Sequence, residues 1–275
     1  MTEFGVDLDA YFARIGYDGP RAPTLDTLKK IVLSQQMSIA FENLSSFSGL
    51  AVPLDPALIE QKIIRDGRGG YCYEQNRYLG MVLAALGFDV RLRMARIRWM
   101  QPPGAVTQRG HKVLNVAAEG QWYLCDVAFG AMTPTAPLLL STLADQLTPH
   151  QTYRVVPEGR VLNIDVKLGE NWRPVYGFDD LDQYPVDFEA VNWQVSTHPK
   201  SEFVNNLIVA RPTADRRQIL NNATLSIRHR DGAVEKSLLA GSDELRAALT
   251  TTFGIALPDN SRIDRALEGL FERAS

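Results

Sequence analysis

The sequence predicts an α+β protein made of three consecutive parts, residues 1–88, 89–195 and 196–275. The period of the apolar residues carries this reading. They recur at helical spacing up to about residue 88, alternate at strand spacing from Asp89 to about Val195, and return to a mixed pattern from Ser196 onward. The first part reads as helical, the second as a β-rich barrel or sheet, and the third as a smaller α/β unit.

In the first part, helices are expected over Leu8–Ile15, Thr24–Gln36, Asp55–Ile64 and Cys72–Leu86. Thr24 and Asp55 serve as N-caps, since their side-chain oxygens can accept from the free N–H groups of a first turn. The last helix carries Leu79, Val82, Leu83 and Leu86 on one stripe and is ended by Gly87. In the second part, Val90–Ile97 alternates, Gly110–Ala117 and Trp122–Phe129 read as strands, and Pro102-Pro103-Gly104 and the proline-rich Thr133–Pro137 stretch interrupt the pattern. In the third, a strand is expected at Phe203–Ala210, a hairpin around Asp231-Gly232, and helices near Asp243–Thr252 and Arg262–Glu272. No internal repeat or low-complexity tract is evident.

With 45% hydrophobic residues, the 275-residue chain can fill a sizeable core. A formal charge of −3 gives no electrostatic case for nucleic acid or an anionic membrane. The N-terminal Met-Thr-Glu-Phe-Gly-Val-Asp-Leu-Asp lacks a basic region followed by an apolar run, and no uncharged apolar stretch of ~18 residues occurs. Two cysteines without Cys-x-x-Cys spacing fit reduced thiols, so a cytoplasmic location is expected.

The sharpest local feature is Gly67-Arg68-Gly69-Gly70-Tyr71-Cys72-Tyr73-Glu74-Gln75-Asn76, a glycine turn that delivers a cysteine into the first turn of a helix. The helix dipole favours a thiolate there, but its ~0.3–1 kcal/mol is less than one pKa unit, about 1.4 kcal/mol, and cannot ionise a thiol at neutral pH alone. A cationic partner is needed, and an imidazolium is the usual one. Four histidines are available: His111, His150, His198 and His229. If Glu119-Gly120 is a two-residue hairpin loop, Ala118 faces Gln121 and Val113 faces Asp126, so His111, Val113 and Asp126 share one face. His111 and Asp126 are then diagonal neighbours that one hydrogen bond can join. The candidate set is Cys72 as nucleophile, His111 as base and Asp126 as orienter; the distance from Cys72 to His111 is not fixed by the pattern.

These residues, with Phe41-Glu42-Asn43-Leu44, Asp126-Val127-Ala128-Phe129-Gly130 and Ser196-Thr197-His198-Pro199, resemble the arylamine N-acetyltransferase family. The resemblance implies a ping-pong reaction: acetyl-CoA acetylates the cysteine, CoA leaves, and an arylamine, arylhydroxylamine or arylhydrazine takes the acetyl group, a xenobiotic-metabolising activity. It maps the family's triad onto Cys72, His111 and Asp126, makes Phe129 a lining residue of the acceptor pocket, and makes Gly130 a cofactor contact. It further implies a helical bundle, a β-barrel and an α/β lid around a cysteine-protease-like core, with acetyl-CoA as co-substrate; apart from the resemblance, no bound metal and a monomer or homodimer are expected. The chain departs from the family pattern at Ala128, where glycine is usual, and at Gln75, where histidine is common; Gln75 is expected to matter less.

Each feature has a plainer reading. A cysteine opening an apolar helix can be a small buried hydrophobe, His111 a satisfied structural histidine, and Asp126 a strand end. Cys125 faces away from Asp126 and reads as core. Zinc ligation lacks the local ligand pairs that mark such sites, and the glycine run needs only to be a tight turn, since no Gly-Lys-Ser/Thr follows. Arg68 and Glu42 are expected to pair and support the cysteine segment. Trp99, Trp122, Trp172 and Trp193 read as core fillers, His198 as shaping a connection, and Arg91, Arg93, Arg96 and Arg98 as solvated surface. Two rival functions remain: a cysteine hydrolase or transglutaminase-like enzyme using the same three residues, and a non-catalytic binding module.

Overall fold

The computed structural model describes residues 4–272; Met1-Thr2-Glu3, at the start of the N-terminal stretch read above, and the last three residues lie outside them. The four expected N-terminal helices form. α1 (Leu8–Ile15) is capped by Asp7, which accepts from Ala10 N at 3.0 Å, and α2 (Leu25–Ser38) by Thr24, which accepts from Thr27 N at 3.3 Å. A short strand β1 (Phe41–Glu42) and one turn α3 (Leu44–Phe47) follow. α4 (Pro56–Glu60) opens at Asp55 and runs on as a π turn, Gln61–Arg65, where one residue is inserted into the helical ladder. α5 (Cys72–Ala85) ends before Gly87, whose φ of +91° suits glycine. Tyr11, Phe12, Leu28, Ile31, Val32, Leu79, Val82 and Leu83 make the buried core between these helices.

The second part is an eight-stranded antiparallel sheet of β2 (Asp89–Ile97), β3 (His111–Ala118), β4 (Gln121–Cys125), β5 (Leu138–Leu139), β6 (Gln146–Leu147), β7 (Thr152–Glu158), β8 (Val161–Leu168) and β9 (Asn171–Asp179). Their order, β5-β4-β3-β2-β9-β8-β7-β6, curls it into a nearly closed barrel. Its two edge strands are joined by a side chain in place of a ladder: the Gln146 amide donates to Leu139 O at 2.9 Å and accepts from Leu139 N at 2.7 Å. One large glutamine thus satisfies an edge that would otherwise be free to pair elsewhere. Ala95, Val113, Leu124, Tyr153, Ile164, Val166, Val175, Tyr176 and Phe178 fill the interior. The β3–β4 loop is the expected two-residue turn, with Ala118 opposite Gln121 and positive φ at both Glu119 and Gly120, as the twist of a tight hairpin requires.

The strand-like period does not persist to Val195. Residues Asp187–Thr197 form α6, because Phe188, Val191 and Val195 fall on one helical stripe and pack against the cluster around Cys72. The strand expected at Phe203–Ala210 is likewise split. Ser201 caps the short α7 (Glu202–Asn205) by accepting from Phe203 N, and the strand begins only at Ile208. β10 (Ile208–Pro212), β11 (Arg216–Asn221), β12 (Thr224–His229) and β13 (Val234–Leu238) form a second antiparallel sheet whose other edge is β1, with Phe41 opposite Ala210. The β12–β13 hairpin turns at Asp231-Gly232 as expected. α8 (Ser242–Ala247), extended by a π turn to Thr252, and α9 (Ser261–Glu272) cover this sheet through Leu245, Leu249, Phe253, Ile263 and Leu267.

Candidate active site

The segment entering α5 is fixed by close backbone approach. A Cβ on Gly69 would stand 2.2 Å from Ala40 O, so only glycine lets the loop lie against β1. Gly70 N donates to Ala40 O, and Gly70 O accepts from Glu42 N at 3.1 Å. Gln75, which was expected to matter less, is fully buried and donates from one amide nitrogen to both Ala40 O and Gly70 O at 2.9 and 2.7 Å. It pins the turn from the helix side. Two ion pairs complete the mount: buried Arg68 holds buried Glu42 at 2.8 Å, as expected, and the half-buried Lys62, aimed by the π turn, holds the buried Glu74 at 2.6 Å. Glu74 also accepts from Tyr71 N, capping the helix. Burial pushes both carboxyls up, but Arg68, Lys62 and the Leu44 N–H outweigh it and hold Glu42 below its ordinary value, whereas burial and the Glu42 charge leave Glu74 above it.

Cys72 is the first residue of α5 and is buried. The hairpin register puts His111 and Asp126 side by side, and His111 Nε2 meets Asp126 Oδ2 at 2.7 Å. The other edge of the ring, Nδ1, is left for the Cys72 sulfur, to which His111 is hydrogen-bonded. Asp126 Oδ1 accepts from Asn76 Nδ2 at 2.8 Å and from Ala128 N at 3.0 Å. The unfixed distance between Cys72 and His111 is set by Asn76, one helical turn beyond the cysteine. Its Nδ2 also donates to Lys112 O at 2.6 Å, and its Oδ1 accepts from Val127 N at 2.9 Å. One side chain therefore ties α5 to β3 and to the end of β4. Sequence reading carried Asn76 only as part of a motif; its i, i+4 spacing from Cys72 was the available signal.

Burial disfavours a charged His111, but the Asp126 carboxylate and the Cys72 sulfur on opposite edges outweigh it and raise the ring to about 10. Burial works the same way against Asp126, where His111, Asn76 and the Ala128 N–H prevail and keep the carboxyl below its ordinary range. The arrangement sets an imidazole between a carboxylate and a sulfur, the geometry in which one proton can move between the ring and the thiol.

Phe129 and Tyr176 stand with their ring centroids 5.0 Å from that of His111 and form an aromatic wall beside it. Gly130 has φ of +100°, a conformation that favours glycine, and its N–H and that of Phe129 both donate to Thr133 Oγ1 at 2.9 Å. Ala128 is fully buried in the Cys72 cluster without a positive φ, so its methyl fits the backbone there. Cys125 lies in the core, where burial raises its thiol well above the ordinary value. His198 caps the end of α6 and accepts from Lys200 N.

Two surface readings change. Trp193 is 67% exposed and fills no core. Arg93 is buried and paired with Asp180 and Asp182, while Arg91 stacks on Trp122 at 4.1 Å and Arg96 and Arg98 line a cavity of about 580 Å³ under the 98–109 loop. The parity of the strand separates Arg93 from Arg96 and Arg98, and the curl of the sheet buries its side. Among the described residues no group of three or more His, Cys, Asp or Glu side chains could hold a metal ion, and no helix is long and apolar enough to cross a membrane.

A buried cysteine at a helix start, joined through an imidazole to a carboxylate on a barrel hairpin, defines a thiol-dependent class of enzyme architecture. The comparisons narrow it. A family model described as N-acetyltransferase matches residues 24–262. The arylamine N-acetyltransferase of Mycobacterium tuberculosis (strain H37Rv) is 39% identical over 273 residues, covering 95% of this chain and 96% of that protein. The Escherichia coli K12 arylamine N-acetyltransferase is 34% identical, covering 92% and 90%. The solved structure of Mycobacterium marinum arylamine N-acetyltransferase in complex with CoA superposes with a TM-score of 0.92 at 39% identity, over 97% of this chain and 99% of that one. The chain belongs to the arylamine N-acetyltransferase family.

Proposed function

We propose that this protein transfers acetyl from acetyl-CoA to arylamines, arylhydroxylamines or arylhydrazines by a ping-pong reaction through a Cys72 thioester. The observation that carries the reading is the imidazole of His111, bonded to Asp126 at one edge and to Cys72 at the other. In the first half-reaction the Cys72 thiolate adds to the thioester carbonyl of acetyl-CoA. The adduct expels the CoA sulfur, which takes the proton held by His111. In the second, the amine nitrogen attacks the Cys72 thioester, His111 accepts the amine's proton, and the Cys72 thiolate leaves, restoring the ion pair. Asp126 keeps the ring oriented throughout.

The family name and the CoA complex of the M. marinum relative support the choice of donor. The wall of Phe129 and Tyr176 beside the base supports an aromatic acceptor, with Phe129 as its contact. Gly130 is the proposed contact for CoA; because its N–H is engaged by Thr133, that contact uses the space left by the absent side chain. We read residues 1–88 as the domain carrying the nucleophile, 89–195 as the barrel carrying His111 and Asp126, and 196–275 as a lid, around a cysteine-protease-like core. Two free thiols fit a cytoplasmic enzyme.

The test is intact mass of wild type and Cys72→Ala after mixing with acetyl-CoA, before and after adding 4-aminobenzoate or a hydrazine. One acetyl adduct on wild type alone, discharged by the amine, is expected. No adduct on either protein overturns the reading and favours the hydrolase or the binding module.

A further inference from the structure

Lys112 follows His111 on β3, so its side chain leaves the opposite face of the strand. It is 1% exposed, its Nζ lies 4.3 Å from the centroid of the Phe188 ring, and Met94 is its partner across β2. Both Phe188 and Met94 belong to the apolar cluster that contains Cys72. A lysine buried among apolar groups is costly unless an anion accompanies it. Burial and the Arg77 cation bring this ammonium down to about 7, and the Cys72 sulfur is the group that pulls the other way. The charged and titratable groups acting on it are therefore Cys72 and Arg77, both from α5. α6 offers the Phe188 ring and β2 the Met94 thioether; Glu189 of α6 acts on Arg77 instead. Among the described residues no carboxylate pairs with Lys112.

We propose that Lys112 is a positioning residue for acyl transfer: its ammonium, seated on Phe188 with the Cys72 sulfur as its anionic counterpart, stabilises the Cys72 thiolate alongside His111 and gives up its proton once that sulfur is acylated. The Phe188 face holds the cation without neutralising it, so the charge remains available to the sulfur. When the thiolate forms its bond to the acetyl carbon, that sulfur loses its charge, and CoA leaves as the thiol carrying the proton from His111. The ammonium is then a buried cation without a counterion, and its proton passes to solvent.

The inference rests on Cys72 being the acylated residue, which the acetyl adduct tests separately. Its own test is the rate of carbamidomethylation of Cys72 by iodoacetamide between about pH 5 and 9, read by peptide mass, for wild type, Lys112→Met, Lys112→Gln and the charge-keeping Lys112→Arg. In the Met and Gln variants the acid limb should move up by roughly one pH unit, tenfold slower at a fixed pH on that limb, with Arg restoring part of the loss. Coincident profiles in folded variants overturn the role of Lys112 even if the acetyl adduct forms. A measurement without mutation guards against misfolding: in wild type carrying ¹³C-labelled lysine, the Lys112 titration followed by NMR should move to lower pH after Cys72 is carbamidomethylated. A titration that does not move overturns the proposal.

Discussion

Replacing Lys112 with methionine should make the folded protein more stable while slowing its chemistry. The ammonium falls from its ordinary 10.5 to about 7 on folding. At about 1.4 kcal/mol per pH unit, that difference is worth on the order of 5 kcal/mol against the folded state, with 3–5 kcal/mol a fair working range. The sign follows from proton counts. Below about pH 7 the lysine is charged in both states and the folded state bears the full cost. Between about 7 and 10.5 the unfolded chain keeps a proton that the folded protein has released, so the stability of wild type rises with pH across that window and the cost vanishes near its upper end. Methionine fills a similar volume against Phe188 and makes a favourable sulfur contact with the ring. Urea unfolding at pH 6, 7.5 and 9, run in a Cys72→Ala background so that the sulfur's charge does not differ between the two proteins, should show a gain for Lys112→Met that is largest at pH 6 and shrinks as pH rises. A gain independent of pH, or a loss at pH 6, would refute the reasoning, because it would mean that Lys112 carries no buried charge.

Asp126→Asn should lower activity roughly a thousandfold or more, because the ring loses its orienting acceptor; as the carboxylate also helps raise His111 to about 10, the alkaline limb of Cys72 alkylation should move down in pH, and an unmoved limb would separate the carboxylate from the ring's charge. Asn76→Ala leaves Val127 N and Lys112 O without their partner, which should cost about 2–4 kcal/mol in urea unfolding and lower kcat more than it changes KM. Gly69→Ala drives a methyl into Ala40 O; loss of acetyl adduct formation is expected, and wild-type acylation would show that the loop can yield. Lys62→Met strands the buried Glu74, with an expected loss of about 3–5 kcal/mol.

What could be read from sequence is what a period or a short loop determines. The β3–β4 hairpin has two residues between strands of opposite parity, and that parity alone put His111 and Asp126 on one face, where they bond. Caps at Thr24 and Asp55 are likewise local. The sites that escaped depend on contacts between distant segments. Nothing around Gln146 announces that it will close the barrel against Leu139, seven residues earlier, because that needs the whole curl of the sheet. α6 was hidden because Asp187–Thr197 is short and follows a strand-rich stretch, and its apolar stripe becomes informative only once the Cys72 cluster is there to receive it. Gln75 looked incidental beside Asn76 because the carbonyls it holds, Ala40 and Gly70, come from a strand and a loop that are brought together by the glycine run.

The start of α5 sits between two charge clusters, and their difference gives the proposed reaction a way to use one histidine first as an acid and then as a base. On one side Glu42, Arg68, Lys62 and Glu74 carry two negative and two positive charges that turnover does not touch; they hold the segment. On the other side Asp126, His111, Cys72 and Lys112 balance only while the sulfur is a thiolate. In the proposed reaction, acylation removes one negative charge from this second cluster, and the proton thereby freed leaves with CoA. The Cys72 sulfur is among the groups that keep His111 at about 10, so its capture as a thioester lowers the ring's hold on its proton as the outgoing CoA sulfur needs one. What remains is a neutral imidazole, still oriented by Asp126, ready for the proton of the incoming amine. The same loss drives Lys112 further down, which keeps it from competing as a proton donor to the amine. Carbamidomethylated Cys72, an uncharged stand-in for the acyl enzyme, should therefore carry a His111 that titrates well below that of the free enzyme; an unchanged titration by NMR would mean that Asp126 alone sets the ring, and that the switch from acid to base has another cause.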